Sequence, residues 1–211
     1  MGRRFAELAF TPLVKEQQTK RGSRHLYERV EKSLVLGDTL GPDEQAFIGE
    51  RDGFYMASVS ETGWPYIQFR GGRKGFLRVL DQRTIAFADL RGNTQYISVG
   101  NLQHDHRVAL FLMDYATQSR LKILGRAEIH EADAEAGKLI ESLRIPQEKS
   151  PAERAIVIHV EAFDWNCPQH ITPRYTEEEI ANMLEPMRRR LDALEAENKR
   201  LRGSSAEVGL S

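Results

Sequence analysis

The sequence predicts a mainly β protein with flanking helices, built around a closed or nearly closed barrel of six strands. Three observations carry this. Between residues 54 and 163 the apolar positions alternate with period two in short β-rich stretches. Turn residues separate these stretches closely enough to make most neighbours antiparallel. The helix-period segments fall before, between and after them rather than in a regular β-α alternation.

Taken in order, residues Phe5 to Gly37 are polar with scattered apolar positions and read as helical segments packed on something else. In "GPDEQAFIGERD", Pro42 suits a first helical turn and Asp43 and Glu44 suit its dipole, so a helix should end near Asp52-Gly53. The β-rich segments are "FYMASVS" (54–60), "WPYIQFRG" (64–71), "GFLRVLD" (75–81), "TIAFAD" (84–89), "RVALFLMD" (107–114), "SRLKILGRAEIH" (119–130) and "AIVIHVEAF" (155–163). Helices are expected at 93–102 and 133–143. The resulting organisation is an N-terminal helical arm (1–40), a barrel domain (41–176), a C-terminal helix (177–202) and a disordered tail (203–211).

The C-terminal helix carries a second pattern. Thr176 and Glu179 form a capping box. Leu184, Leu191 and Asn198 then occupy heptad position a, and Ile180, Met187, Leu194 and Leu201 position d. Arg190 with Glu195 and Glu197 with Arg202 are attractive pairs between parallel copies. Pro186 should interrupt the helix after Leu184 or start a new one. A short coiled coil and a surface helix folded back on the barrel are both open.

Composition narrows the function. The 211 residues carry a net charge of −1 and a single cysteine, Cys167. No global basic field points to nucleic acid, no apolar run approaches the ~18 residues that span a bilayer, and a disulfide framework within the chain is excluded. The N-terminus lacks a signal-peptide core, and Ala6 stands where a myristoylation pattern needs Ser or Thr. A soluble cytoplasmic protein is expected. His104 and His106 flank Asp105 but do not share a helix face, and no metal site is assigned. Cys167 and His170 lack a third orienting group for nucleophilic chemistry. His159, within an apolar strand, reads as a hydrogen-bonded core or interface residue.

In "FADLRGNTQYISVGNL" a strand runs through a glycine turn into a helix start. Gly92 permits unusual dihedrals or close approach of a ligand, and Asn93 is a candidate N-cap, with Tyr96, Ile97, Val99, Gly100 and Leu102 as the buried stripe. Such a turn presents N–H groups to an anion. "QFRGGRKGF" adds Arg70, Arg73 and Lys74 at a strand end, and "SRLKILGRA" places Arg120 and Lys122 on one strand face.

The stretch from "RGGRKGFLRVLDQRTIAFADLRGNTQYISVGNLQHDHRVALFLMDY" through "RLKILGRAEI" to "QHITPRYT" resembles the pyridoxamine 5′-phosphate oxidase-like flavin-binding proteins. The resemblance implies a split β-barrel, a homodimer and FMN held in clefts at the dimer interface. It implies that Gln68, Phe69 and Arg70 run along the flavin ring, and that Ala88 and Asp89 lead to a phosphate turn formed by Gly92, Asn93, Thr94 and Gln95. Arg120, with Lys122 on the same face, would reach the flavin from a further strand. Trp165 and the Arg174-Tyr175 pair would be contributed across the dimer. The true oxidases place an Arg-Lys pair where Thr94-Gln95 stand, and their Arg-x-His is absent from this chain, which argues against pyridoxal phosphate synthesis. The implied function is a flavin-dependent oxidoreductase acting on a small molecule. A non-catalytic flavin- or haem-binding sensor or storage module is the alternative.

Overall fold

The computed structural model describes residues 1–133, 136–145, 150–165 and 169–208, with side chains described as far as Leu201. Two compact units result, Met1–Ile171 and Thr172–Ser211.

The first unit opens with α1 (Arg3–Ala9), α2 (Pro12–Lys20), α3 (Arg24–Glu31) and α4 (Pro42–Gly49). Local chemistry sets their starts. Pro12 and Pro42 occupy first-turn positions, where a missing N–H leaves no helical bond unmade. The Glu44 carboxylate accepts the Gly41 N–H at 2.9 Å, which closes the start of α4.

The sheet contains seven strands, one for each β-rich stretch of the sequence and one more than the expected barrel of six. They are β1 (Gly53–Val59), β2 (Pro65–Gly71), β3 (Arg78–Asp81), β4 (Thr84–Leu90), β5 (Arg107–Asp114), β6 (Ser119–Glu131) and β7 (Ala152–Trp165). Their order is β2-β1-β5-β6-β7-β4-β3, and every pairing is antiparallel. The shortest is the four-residue edge strand β3, which lies within the expected β-rich stretch 75–81 and whose ladder runs to β4 with a register shift between Val79 and Asp81. Helices α5 (Ile97–His104) and α6 (Ala136–Leu143) follow β4 and β6.

The sheet curls into a split barrel. Three strands separate β1 from β4 in the sheet order, yet Phe54 of β1 meets Phe87 of β4 edge-on with ring centroids 5.4 Å apart. Phe76 stacks on Phe54 at 5.7 Å. Alternate residues feed this core, including Met56, Leu110, Leu112, Leu121, Ile123, Ile156 and Ile158. Burying one such side chain stabilises by roughly 1.5–3 kcal/mol. Removing the central Phe87 ring by Phe87→Ala would therefore cost about 3–5 kcal/mol. At the β6–β7 bulge, a Cβ on Gly125 would lie 2.6 Å from the His159 carbonyl oxygen, so only glycine fits. His159 itself is half exposed and 3.4 Å from a Glu128 carboxylate oxygen, on the outer side of β7 rather than in the core.

In the second unit, α7 (Glu177–Val208) runs unbroken through Pro186. Pro186 therefore neither ends nor restarts a helix, and the helix extends six residues past the expected position 202. Its start is the expected capping box: Thr176 N–H donates to Glu179 at 2.7 Å, and Glu179 N–H donates to Thr176 Oγ1 at 3.2 Å. Among the described residues, no helix is long and apolar enough to cross a membrane.

Candidate functional site

The site begins with strand phase. On β2, Gln68 and Arg70 turn inward while Phe69 turns outward, edge-on to Tyr55 at 5.4 Å. On β4, Asp89 keeps the phase of Ile85 and Phe87 and is only 4% exposed. A lone buried carboxylate would be expensive. Here both oxygens are taken: Arg70 Nη1 pairs with Oδ1, and Arg154 Nη1 lies 3.0 Å from Oδ2. Register delivers the second partner, since Asp89 and Arg154 face each other across β4 and β7. Arg154 also reaches Glu131 and Glu153, each at 3.2 Å. Burial pushes the Arg154 guanidinium pKa down, but the Asp89 hydrogen bond and the charges of Glu131 and Asp89 outweigh it and leave the pKa raised.

The turn after β4 differs from the expected helix cap. Asn93 Oδ1 accepts the Gln95 N–H at 3.2 Å, which closes a side-chain turn instead of capping a helix. Helix α5 therefore starts at Ile97, after Tyr96 in a left-handed conformation (φ 54°). Thr94 is also left-handed (φ 58°), so two non-glycine residues carry backbone strain in one short turn. Gly92 is not left-handed. What distinguishes it is space: a Cβ there would find no heavy atom nearer than the Leu90 carbonyl at 4.0 Å. The buried face of α5 is Ser98, Asn101 and Leu102, whereas Tyr96 and Ile97 are exposed. Ser98 Oγ donates to Gln68 at 2.8 Å and Asn101 Nδ2 to Ser58 at 3.0 Å. These bonds explain the polar choice, because they fasten the turn and helix to β2 and β1.

Two adjoining clefts, of about 200 and 180 Å³, share Gln68, Arg70, Asp89, Leu90 and Gly92. The first is lined by Phe76, Phe87 and the Phe69 position of β2, with Arg73 and Arg144 among its polar groups. The second is lined by Asn93, Thr94, Tyr96 and Arg154. At their junction the Arg70 Nε–H is buried without a hydrogen-bond partner among the described residues. The first cleft is largely apolar and aromatic, and the second is polar, with the Asp89 and Glu153 carboxylates lying among its arginines.

Of the residues singled out from sequence, Gln68, Phe69, Arg70, Ala88, Asp89, Gly92, Asn93 and Thr94 come together here. Gln95 is held back by Asn93 and is not among the described lining residues; its N–H, expected to face an anion, is already bonded. Arg120, Lys122 and Trp165 also stand elsewhere in this unit. The Arg120 guanidinium lies 5.9 Å from the Phe111 ring centroid, Lys122 pairs with Asp164 at 2.9 Å, and Trp165 Nε1 donates to Glu44 at 2.7 Å. Arg174 belongs to the second unit. Cys167 lies outside the described residues. No cluster of three or more metal-ligating side chains occurs among the described residues. Sequence reasoning missed Arg154, Tyr96, Ser98 and Arg144. Arg154 had a legible signal, being a charge in phase with Ile156 and Ile158 on an apolar strand.

A family model described as pyridoxamine 5′-phosphate oxidase matches residues 40–166. The chain belongs to that family. The match spans α4, the whole seven-stranded sheet and the 91–96 turn. No curated protein matches the chain. Among solved structures, Group A Streptococcus HupZ is similar at 17% identity, covering 64% of this chain and 99% of that one with a TM-score of 0.48. An FMN-binding protein of Syntrophomonas wolfei subsp. wolfei is similar at 12% identity over 71% and 97% of the two chains, with a TM-score of 0.44. General Stress Protein 26 of Bacillus anthracis is similar at 14% identity over 57% and 88%, with a TM-score of 0.40.

Proposed function

We propose that the paired clefts bind FMN and that the protein is a flavin-dependent oxidoreductase acting on a small molecule. The observation that carries this reading is the buried, unpartnered Nε–H of Arg70 at the junction of an aromatic cleft and a polar, strained turn. An unpaired buried donor costs about 1–3 kcal/mol, which a ligand acceptor would recover. Asp89 holds the Arg70 guanidinium through Nη1, which fixes the plane that also carries Nε. Gly92 leaves open the space an incoming group would need.

When bound, the flavin would supply the redox chemistry, and the protein's part is to bind, orient and exclude water. Arg70 fits as the donor to the ring's polar edge, with Gln68 beside it. The turn at Asn93 and Thr94, followed by the N-terminus of α5, fits the phosphate. No described lining residue of either cleft is His, Cys or Met, and Tyr96 is the one described side chain there of a type that ligates haem iron. The family's oxidase reaction is not proposed for this chain, which lacks Arg-x-His.

Homodimerisation is part of the same reading. The outer face of β2-β1-β5 exposes Ile67, Phe69 and Tyr55, and Tyr55 is in register with both Phe69 and Phe111. This apolar row begins at a cleft-lining residue and ends beside Arg120. A second copy packed on it would cover the row and supply Arg120, with Lys122, Trp165 and Arg174 as further candidates from that copy.

The test is a fluorescence titration of the full-length protein with FMN and riboflavin. One FMN per chain, bound more tightly than riboflavin, is expected. Arg70→Met should weaken both flavins by roughly 10- to 150-fold. Thr94→Arg should tighten FMN alone. Bleaching of the flavin-loaded protein by NADH or NADPH would favour the enzyme over a passive binder. Equal affinity for the two flavins in the wild type would remove the phosphate assignment.

A further inference from the structure

The C-terminal helix has two unlike faces. Glu185 and Arg189 pair at 2.9 Å along its outer face, within the helix. Along the opposite face run Ile180, Leu184, Met187, Leu191, Leu194 and Leu201, at spacings of four and three that skip only Asn198. All six are 39–69% exposed. At 1.5 Å per residue, the 32 residues of α7 span about 48 Å. A helix of that length with a proline inside and an unburied apolar stripe draws its stability from whatever covers the stripe.

We propose that α7 forms a parallel, in-register, two-stranded coiled coil with a second copy of this chain. The stripe has the 3.5-residue period of a two-helix seam, narrower than the face a helix presents to a globular core. Pro186 falls at position c, on the outside, where it meets no partner. Charge adds Arg190 at g opposite Glu195 at e of the second copy, but charge alone does not choose direction. An antiparallel pair centred on Leu191 and Leu194 would set Arg190 near Glu197, which is also favourable.

Asn198 decides. In a parallel pair it faces its own copy across the seam, and the two amides hydrogen-bond each other. In the antiparallel pair it would face Met187, and a buried amide would go unsatisfied. The inference is independent of what the cleft binds.

The test uses the full-length protein with Cys167 replaced by Ser and one cysteine returned at a chosen helix position. Under mild oxidation, Leu194→Cys (position d) should form a covalent dimer at least about tenfold faster than Ala193→Cys (position c), because the coil holds the seam thiols at high effective concentration. Asn198→Leu should shift the mass in light scattering from dimer to larger assemblies, since the polar register signal is gone. Equal rates at 193 and 194 would overturn the proposal and leave α7 lying on its own chain or alone. Rapid cross-linking only in a mixture of Leu191→Cys and Leu194→Cys chains would overturn it in favour of an antiparallel pair.

Discussion

Asp89 and Arg154 face each other across β4 and β7, joined at 3.0 Å, and Arg70 occupies the remaining oxygen of the same buried carboxylate. One anion thus ties three strands together beneath the clefts. Breaking a buried ion pair by removing one partner typically costs 3–5 kcal/mol. Asp89→Asn should lower stability by about that much, because it leaves two guanidinium groups side by side. Urea unfolding at neutral pH measures it; a loss below about 1 kcal/mol would mean that solvent compensates the arginines.

The strain at position 94 gives a prediction of opposite sign. A left-handed threonine costs of order 1–3 kcal/mol. Thr94→Gly should therefore leave stability unchanged or raise it by up to about 1 kcal/mol, after the greater chain entropy of glycine is subtracted. Thr94→Val, which keeps the branch and removes the hydroxyl, should not. Thermal unfolding of the two variants side by side distinguishes relief of strain from loss of a polar contact.

Shared sites can be recognised by complementation. If Arg70 of one copy and Arg120 of another complete one FMN site, Arg70→Met and Arg120→Ala should each weaken binding. Dissociating, mixing and reassociating the two variants should restore tight binding at about a quarter of the sites, since half the dimers are mixed and each has one intact site. No restoration would mean that each site is built from one chain.

A pH dependence follows from Asp114. Burial pushes its carboxyl pKa up, but the Thr117 N–H at 3.0 Å and Arg51 at 3.0 Å overcome this and leave it below the ordinary 3.8. A depressed folded-state pKa gives stability that is present above the unfolded value and is lost as pH falls through the folded one. Asp114→Asn should thus cost about 1–2 kcal/mol at pH 7, and the difference should shrink towards zero in acid below the unfolded value. A difference that stayed constant from pH 7 down to acid would assign the effect to shape rather than charge.

The sequence by itself determined whatever depends on neighbours along the chain. Period-two alternation marked the strands, because side chains on a strand must choose between core and solvent one by one. Thr176 and Glu179 marked the start of α7, and Pro42 that of α4, since caps act within one turn. The motif resemblance carried the family, and with it the meeting of β2 and β4 at one cleft. The local reading failed in one place: Asn93 had the right chemistry for an N-cap, but an equally local bond to Gln95 competed for the same oxygen and won.

Only the tertiary structure decided the pairings across strands. Arg154 is 65 residues from Asp89, and nothing in its neighbourhood names that partner until β4 and β7 come into register. The destination of Lys122 was equally hidden. Alternation correctly placed it beside Arg120 on one face, but Asp164 of β7 supplies a buried carboxylate at 2.9 Å that holds it away from the clefts. The extent of β3 was decided there too: of the β-rich stretch 75–81, Arg78–Asp81 forms the strand, on the edge that β4 offers. A hydrophobic period reports which face of an element is dry, whereas a charge is stabilised by a particular opposite charge, and only the folded chain brings the two within reach.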